Sequence, residues 1–162
     1  VIDVAISYFY QIRFFKPYMV PISTAVWDPK WYHSFKDQNH VFIDRNGVIN
    51  GLRIKPLMPG DTCAHLCRGR EYCASSGPDT CTFLQNYYMQ LEALDFNEFM
   101  WNLEKHLHDL FEKCHIESEP LAVLMVHEAF SNPCSERVAL LKWFSNHGLP
   151  VSELRYPISA NY

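Results

Sequence analysis

Leu121 to His127 reads LAVLMVH, with no polar residue before its final histidine. A run that is apolar at every position has no side to offer to water. It suits a strand covered on both faces, as in a parallel sheet. Upstream, Phe96, Phe99, Met100, Leu103, Leu107, Leu110, Phe111 and Cys114 fall on one stripe of a 3.6-residue period. Asp95 stands before them as an N-cap, and Glu98 completes a capping box. A long helix feeding a buried strand is the grammar of an α/β fold.

The rest of the chain extends that pattern. Val1 to Tyr8 reads as a strand, Gln11 to Phe15 as a helical turn, and Met19 to Trp27 as a second strand stopped by Asp28-Pro29. Lys30 to His40 reads as an irregular loop. Val41 to Asp44 and Val48 to Ile54 flank Asn46-Gly47, a pair that tolerates positive φ and so marks a hairpin. Thr82 to Leu94 reads as a helix with Phe83, Tyr87, Leu91 and Leu94 on one face. Asn132 or a neighbour caps a last helix with Pro133 in its first turn; Gly148 and Pro150 end it, and Val151 to Tyr156 forms a final strand. The expectation is one α/β domain over residues 1–162, with a mainly parallel sheet flanked by helices.

Residues 55–82 break the pattern. Cys63, Cys67, Cys73 and Cys81 stand at C-x3-C-x5-C-x7-C among Pro59, Gly60, Gly69, Gly77 and Pro78. A turn-rich loop of this kind has little apolar material to hold it. Four thiolates can surround one tetrahedral ion and supply a closed, architectural site. Structural Zn2+ is the reading carried forward. An iron–sulfur cluster, disulfides and unliganded thiols are the alternatives, and His65 could replace one cysteine.

Hydrophobic residues make up 48% of the chain, enough for an ordinary core without disulfide scaffolding, which favours a reducing, cytoplasmic setting. A net charge of −4 gives no global field for nucleic acid, although a local patch remains open. No stretch reads as a signal peptide or membrane span.

Two groups of residues carry candidate chemistry. His127 through Arg137 joins the end of a buried strand to the start of a helix, the place where open α/β sheets bind ligands. Asn132, Ser135 and Glu136 border it, Arg137 offers a planar fork to phosphate or carboxylate, and the helix N-terminus favours an anion. Glu128 is placed as acid or base, with His127 and Glu136 beside it, and Cys134 as a nucleophile in the helix's first turn. The competing reading makes Asn132-Pro133 a plain cap, Cys134 a core residue and Arg137 a partner of Glu128. The Cys-x5-Arg spacing of cysteine phosphatases is absent. The second group is Ser7, Tyr8, Trp27, Lys30 and Trp31, all after expected strands. Trp27 or Trp31 could stack on a base and Lys30 could meet a phosphate; the alternative is that these aromatics pack the core. His106, His108 and His115 read with Glu104, Lys105, Asp109, Glu112 and Lys113 as a solvated helix face.

Ile6-Ser7-Tyr8-Phe9, Asp28-Pro29-Lys30-Trp31, Val126-His127-Glu128, Pro133-Cys134-Ser135-Glu136-Arg137 and Gly148 with Glu153 resemble, in order, the motifs of the domain of unknown function 488 family of bacteria, archaea and their viruses. The resemblance implies a Rossmann-like α/β fold with a polar pocket built from these motifs, and a link to nucleotides or nucleic acid without a settled activity. The histidine of that family's Cys-His-Arg motif is absent, and the four-cysteine loop is an insertion. The functional expectation is an enzyme acting on a nucleotide, nucleic acid or other phosphorylated substrate. The alternative is a zinc-stabilised, non-catalytic module binding a nucleotide or a protein partner.

Overall fold

The computed structural model describes residues 2–33, 41–60, 75–126 and 135–155. Its centre is a five-stranded sheet in which every pairing is parallel: β1 (Asp3–Tyr8), β2 (Met19–Ser23), β5 (Leu52–Arg53), β6 (Leu121–Val126) and β7 (Ser152–Glu153), in the order β5-β2-β6-β1-β7. The apolar LAVLMV run is the middle strand, registered with Asp3–Tyr8 on one side and Met19–Ser23 on the other. Its five residues after Leu121 are all buried, as a strand covered on both faces requires.

Alternating side chains separate two cores. Val4, Ile6, Val20, Ile22, Ala122, Leu124 and Val126 face three helices: α1 (Thr82–Glu92), α2 (Phe96–Lys113) and α3 (Glu136–Asn146). Leu91, Leu107, Trp143 and Phe144 from those helices are buried against them. Ala5, Met19, Val123 and Met125 face the other way, under a 3-10 helix (Phe9–Phe14), Tyr32 and Val48. The chain is thus an α/β fold of Rossmann-like type with its long helices on one side.

Asp95 caps α2, its carboxylate accepting from Glu98 N at 3.1 Å. Four boundaries differ from expectation. The second strand stops at Ser23 rather than Trp27, because Asp28 folds back to accept a hydrogen bond from Ser23 Oγ. The Val48–Ile54 run is two strands, broken at Gly51 (φ 100). Its first part, β4 (Ile49–Asn50), pairs antiparallel with β3 (Phe42–Ile43) around Gly47, while its second joins the main sheet. The last helix is capped by Ser135, not Asn132, and starts at Glu136, so Pro133 lies before its first turn. The final strand is shorter than Val151–Tyr156, covering Ser152–Glu153.

Pro21 sits within β2 although proline cannot donate to a ladder. The neighbouring β5 begins pairing only at Ile22, and Tyr32 fills the space beside Pro21. The Tyr32 hydroxyl lies 2.8 Å from Pro21 O and 2.7 Å from Leu52 O, sharing one proton between two strands.

Candidate functional site

The sheet's topology selects one crevice. Strands β1 and β6 are neighbours, and Tyr8 is in register with Val126 at their carboxyl ends. After β1 the chain crosses to β2 over the face that holds Phe9 and Ile12. After β6 it reaches β7 through α3, over the opposite face. Two adjacent strands whose connections leave to opposite faces open a gap above their ends, the switch point where α/β sheets seat ligands.

Around that gap α3 is fixed from both sides. Thr24, just past β2, donates its backbone N–H to Met125 O (3.1 Å). Its hydroxyl lies 3.0 Å from the same carbonyl and 3.3 Å from Glu136 Oε1, with one proton to share between them. On the far side Arg137 Nη1 donates to Glu153 Oε1 at 3.0 Å, and Arg155 reaches the other Glu153 oxygen at 3.2 Å. Ser7 Oγ donates to Leu154 O at 2.9 Å, and Leu154 N donates to Ile6 O, which locks β7 and therefore Glu153 in place. Ser135 Oγ accepts from Arg137 N at the helix start. Tyr8 accepts at its hydroxyl from Gln11 Nε2 (2.7 Å).

Ser7, Tyr8, Ser135, Glu136 and Arg137 therefore gather at one end of the sheet as the sequence suggested. Glu136 and Arg137 are both buried. Arg137 is paired with Glu153, a carboxylate from β7, so the fork does not stand as a bare cation. Glu128, Asn132 and Cys134 lie outside the described residues, as does His127; the first turn of α3 begins two positions after Cys134.

Trp27, Lys30 and Trp31 also follow the carboxyl end of a strand, that of β2. They sit on the segment after β2, where Trp27 is 80% and Trp31 50% exposed, so neither packs into the core. That segment is held by a cluster that sequence patterning missed. Asp28 has a side chain only 1% exposed and accepts from Ser23 Oγ, from Arg53 Nε at 2.6 Å, and lies 2.9 Å from His33 Nε2. Arg53 Nη2 is 2.8 Å from the same His33 nitrogen. A neutral His33 can donate to Asp28 or accept from Arg53, and one ring nitrogen cannot do both. The polar spacing Ser23, Asp28, His33 is a faint local signal; Arg53 comes from another strand and gave none. Burial first, and the Asp28 charge second, push the Tyr32 hydroxyl well above the usual tyrosine range.

Of the four expected metal ligands, Cys81 is described: it is the buried N-cap of α1, among core residues. Cys63, Cys67 and Cys73, with His65, lie outside the described residues. Among the described residues no group of three or more His, Cys, Asp or Glu side chains is arranged to share an ion. On α2, His108 meets exposed Glu119 at 2.9 Å and His106 faces solvent. No described helix is long and apolar enough to cross a membrane. In comparisons with known proteins, no family model, curated protein or solved structure matches this chain.

Proposed function

We propose that this protein handles a nucleotide, nucleic acid or other phosphorylated ligand at the carboxyl rim of its sheet, above the β1/β6 ends. The observation that carries the reading is the switch point: two adjacent parallel strands whose connections leave to opposite faces, with the N-terminus of an eleven-residue helix above them. The positive end of the α3 dipole attracts an anion there, although Ser135 already takes the Arg137 and Val138 amides. Arg137 would then exchange part of its Glu153 pairing for the ligand's phosphate, with Glu153 keeping the fork aimed. In the enzyme form of the proposal Glu128 moves the proton and Cys134 is the nucleophile or a wall of the pocket.

The binder form uses the same pocket without turnover. It is favoured by one observation: Arg137 is already neutralised by Glu153, which suits holding a ligand more than stabilising charge that develops during reaction. Structural zinc on Cys63, Cys67, Cys73 and Cys81 belongs to the proposal on the strength of spacing, with buried Cys81 as the anchor of that loop to the core. Kinship with the domain of unknown function 488 family is part of it too, supported by motif order and by the α/β fold.

Native mass spectrometry of protein prepared without chelator tests the reading. A retained phosphorylated ligand is expected, and Arg137→Lys, which keeps the charge but loses the fork, should release it. A changed ligand mass after incubation means an enzyme; an unchanged one means a binder. Equal retention by Arg137→Lys would reject the site.

A further inference from the structure

Two stretches of the chain differ in charge and in what they leave uncovered. Residues 1–60 hold seven Lys and Arg against four Asp and Glu, a net +3; residues 75–126 hold two against nine, a net −7. The first segment supplies β1, β2, β5 and the cover opposite the helices, and the second supplies α1, α2 and β6. Seven of the nine large exposed apolar side chains among the described residues also lie in the first segment, so apolar exposure and positive charge coincide.

They meet in a groove of about 440 Å³ lined by Tyr10, Arg13, Trp31, Phe42, Asp44 and Asn50. Tyr10 and Trp31 are 42% and 50% exposed. Arg13 lies with its guanidinium carbon 3.7 Å from the Tyr10 ring centre, so a planar cation already rests on an aromatic face at the groove wall. The one acid in the lining is committed to its own turn: Asp44 accepts from Asn46 N, Val48 N and Asn50 Nδ2. The groove therefore presents ring faces and a cation, with its carboxylate occupied.

We infer that this groove is a stacking site for the bases of a single-stranded nucleic acid. Unpaired bases offer π-faces that Tyr10 and Trp31 can receive whatever the base, while Arg13, with Lys30 next to Trp31 in the chain, meets the backbone phosphates. A duplex hides those faces inside its own stack. The acidic helical segment repels a polyanion and leaves the basic segment as its landing side. A proline-rich peptide also suits an aromatic groove, but it has no need of the +3 segment. The inference uses none of the residues at the α3 rim, so it stands or fails separately from the phosphorylated-ligand reading.

Fluorescence anisotropy with labelled twelve-nucleotide oligo-dT and oligo-U tests it on the full chain. Binding should weaken as salt rises, quench tryptophan emission, and be lost on a duplex of equal length. Trp31→Ala should weaken it roughly tenfold and Tyr10→Ala with Trp31→Ala further. Arg13→Gln should flatten the salt dependence; circular dichroism checks that these exposed substitutions leave the fold intact. A preference between the two oligomers assigns DNA or RNA. The inference is overturned if neither oligomer binds, if an abasic oligomer binds as tightly, if the double variant binds like the parent, or if only a proline-rich peptide binds.

Discussion

The helical side of the sheet and its opposite side are built by different means. The helical side is held by long amphipathic helices, in which Leu91, Leu107, Trp143 and Phe144 recur on periodic faces and are fully buried. The opposite side has short 3-10 helices at Phe9–Phe14 and Lys30–Tyr32, a hairpin of two-residue strands, and a segment pinned by Asp28 and Tyr32. The first needs only a pattern of apolar residues. The second depends on particular polar atoms from distant parts of the chain. That difference teaches where exposed aromatics can be afforded: a side held by a few hydrogen bonds can leave Tyr10 and Trp31 in solvent without losing its shape.

Substitutions can break the comparison. The largest effect is expected on the helical side. Leu91→Ala in α1 should cost about 2–5 kcal/mol, because it empties a fully buried site, read as a lower urea midpoint. Trp101→Ala, on the exposed face of α2, should leave that midpoint almost unchanged.

Asp28→Ala comes next. It strips Ser23, His33 and Arg53 of a shared acceptor and should cost about 2 kcal/mol. The figure falls short of that for a fully buried pair because Arg53 keeps about a third of its side chain in water. It should also loosen the Trp27–Trp31 segment, raising amide exchange there and leaving α2 protected. Uniform exchange across both regions would mean that the clamp is not local.

The smallest effect is a pH dependence. Tyr32 has a folded-state pKa raised well above 10, first by burial and then by Asp28. Its stabilising contribution is complete below the unfolded tyrosine value near 10 and is lost as pH climbs from there towards the folded value. Tyr32→Phe should cost roughly 1 kcal/mol at neutral pH and make the alkaline decline shallower. Tyr88, whose pKa is also raised, keeps that decline from vanishing. An unchanged slope would remove Tyr32 from the account.

Much of the helical side was legible in the sequence. The Asp95–Glu98 cap, the stripe of α2 and the buried run of β6 each follow from local spacing, and each forms. What escaped was non-local. The end of β2 depends on Asp28 reaching back to Ser23, and Gly51 sends one apolar run into two sheets; neither leaves a periodic trace. At the rim, Ser7, Glu136 and Arg137 stand out from their place after strands, whereas the partner of Arg137 is Glu153, sixteen residues on in β7. Thr24 gave no signal, because its role arises only when β2 and β6 lie side by side.

The central claim is that a phosphorylated ligand sits above the ends of β1 and β6. A ¹⁵N-resolved NMR titration with inorganic phosphate and then AMP addresses it most directly. The account predicts saturable shifts at the amides of Tyr8, Thr24, Glu136 and Arg137, larger for AMP than for phosphate, and smaller in Arg137→Lys. Those amides staying still at millimolar ligand would contradict it.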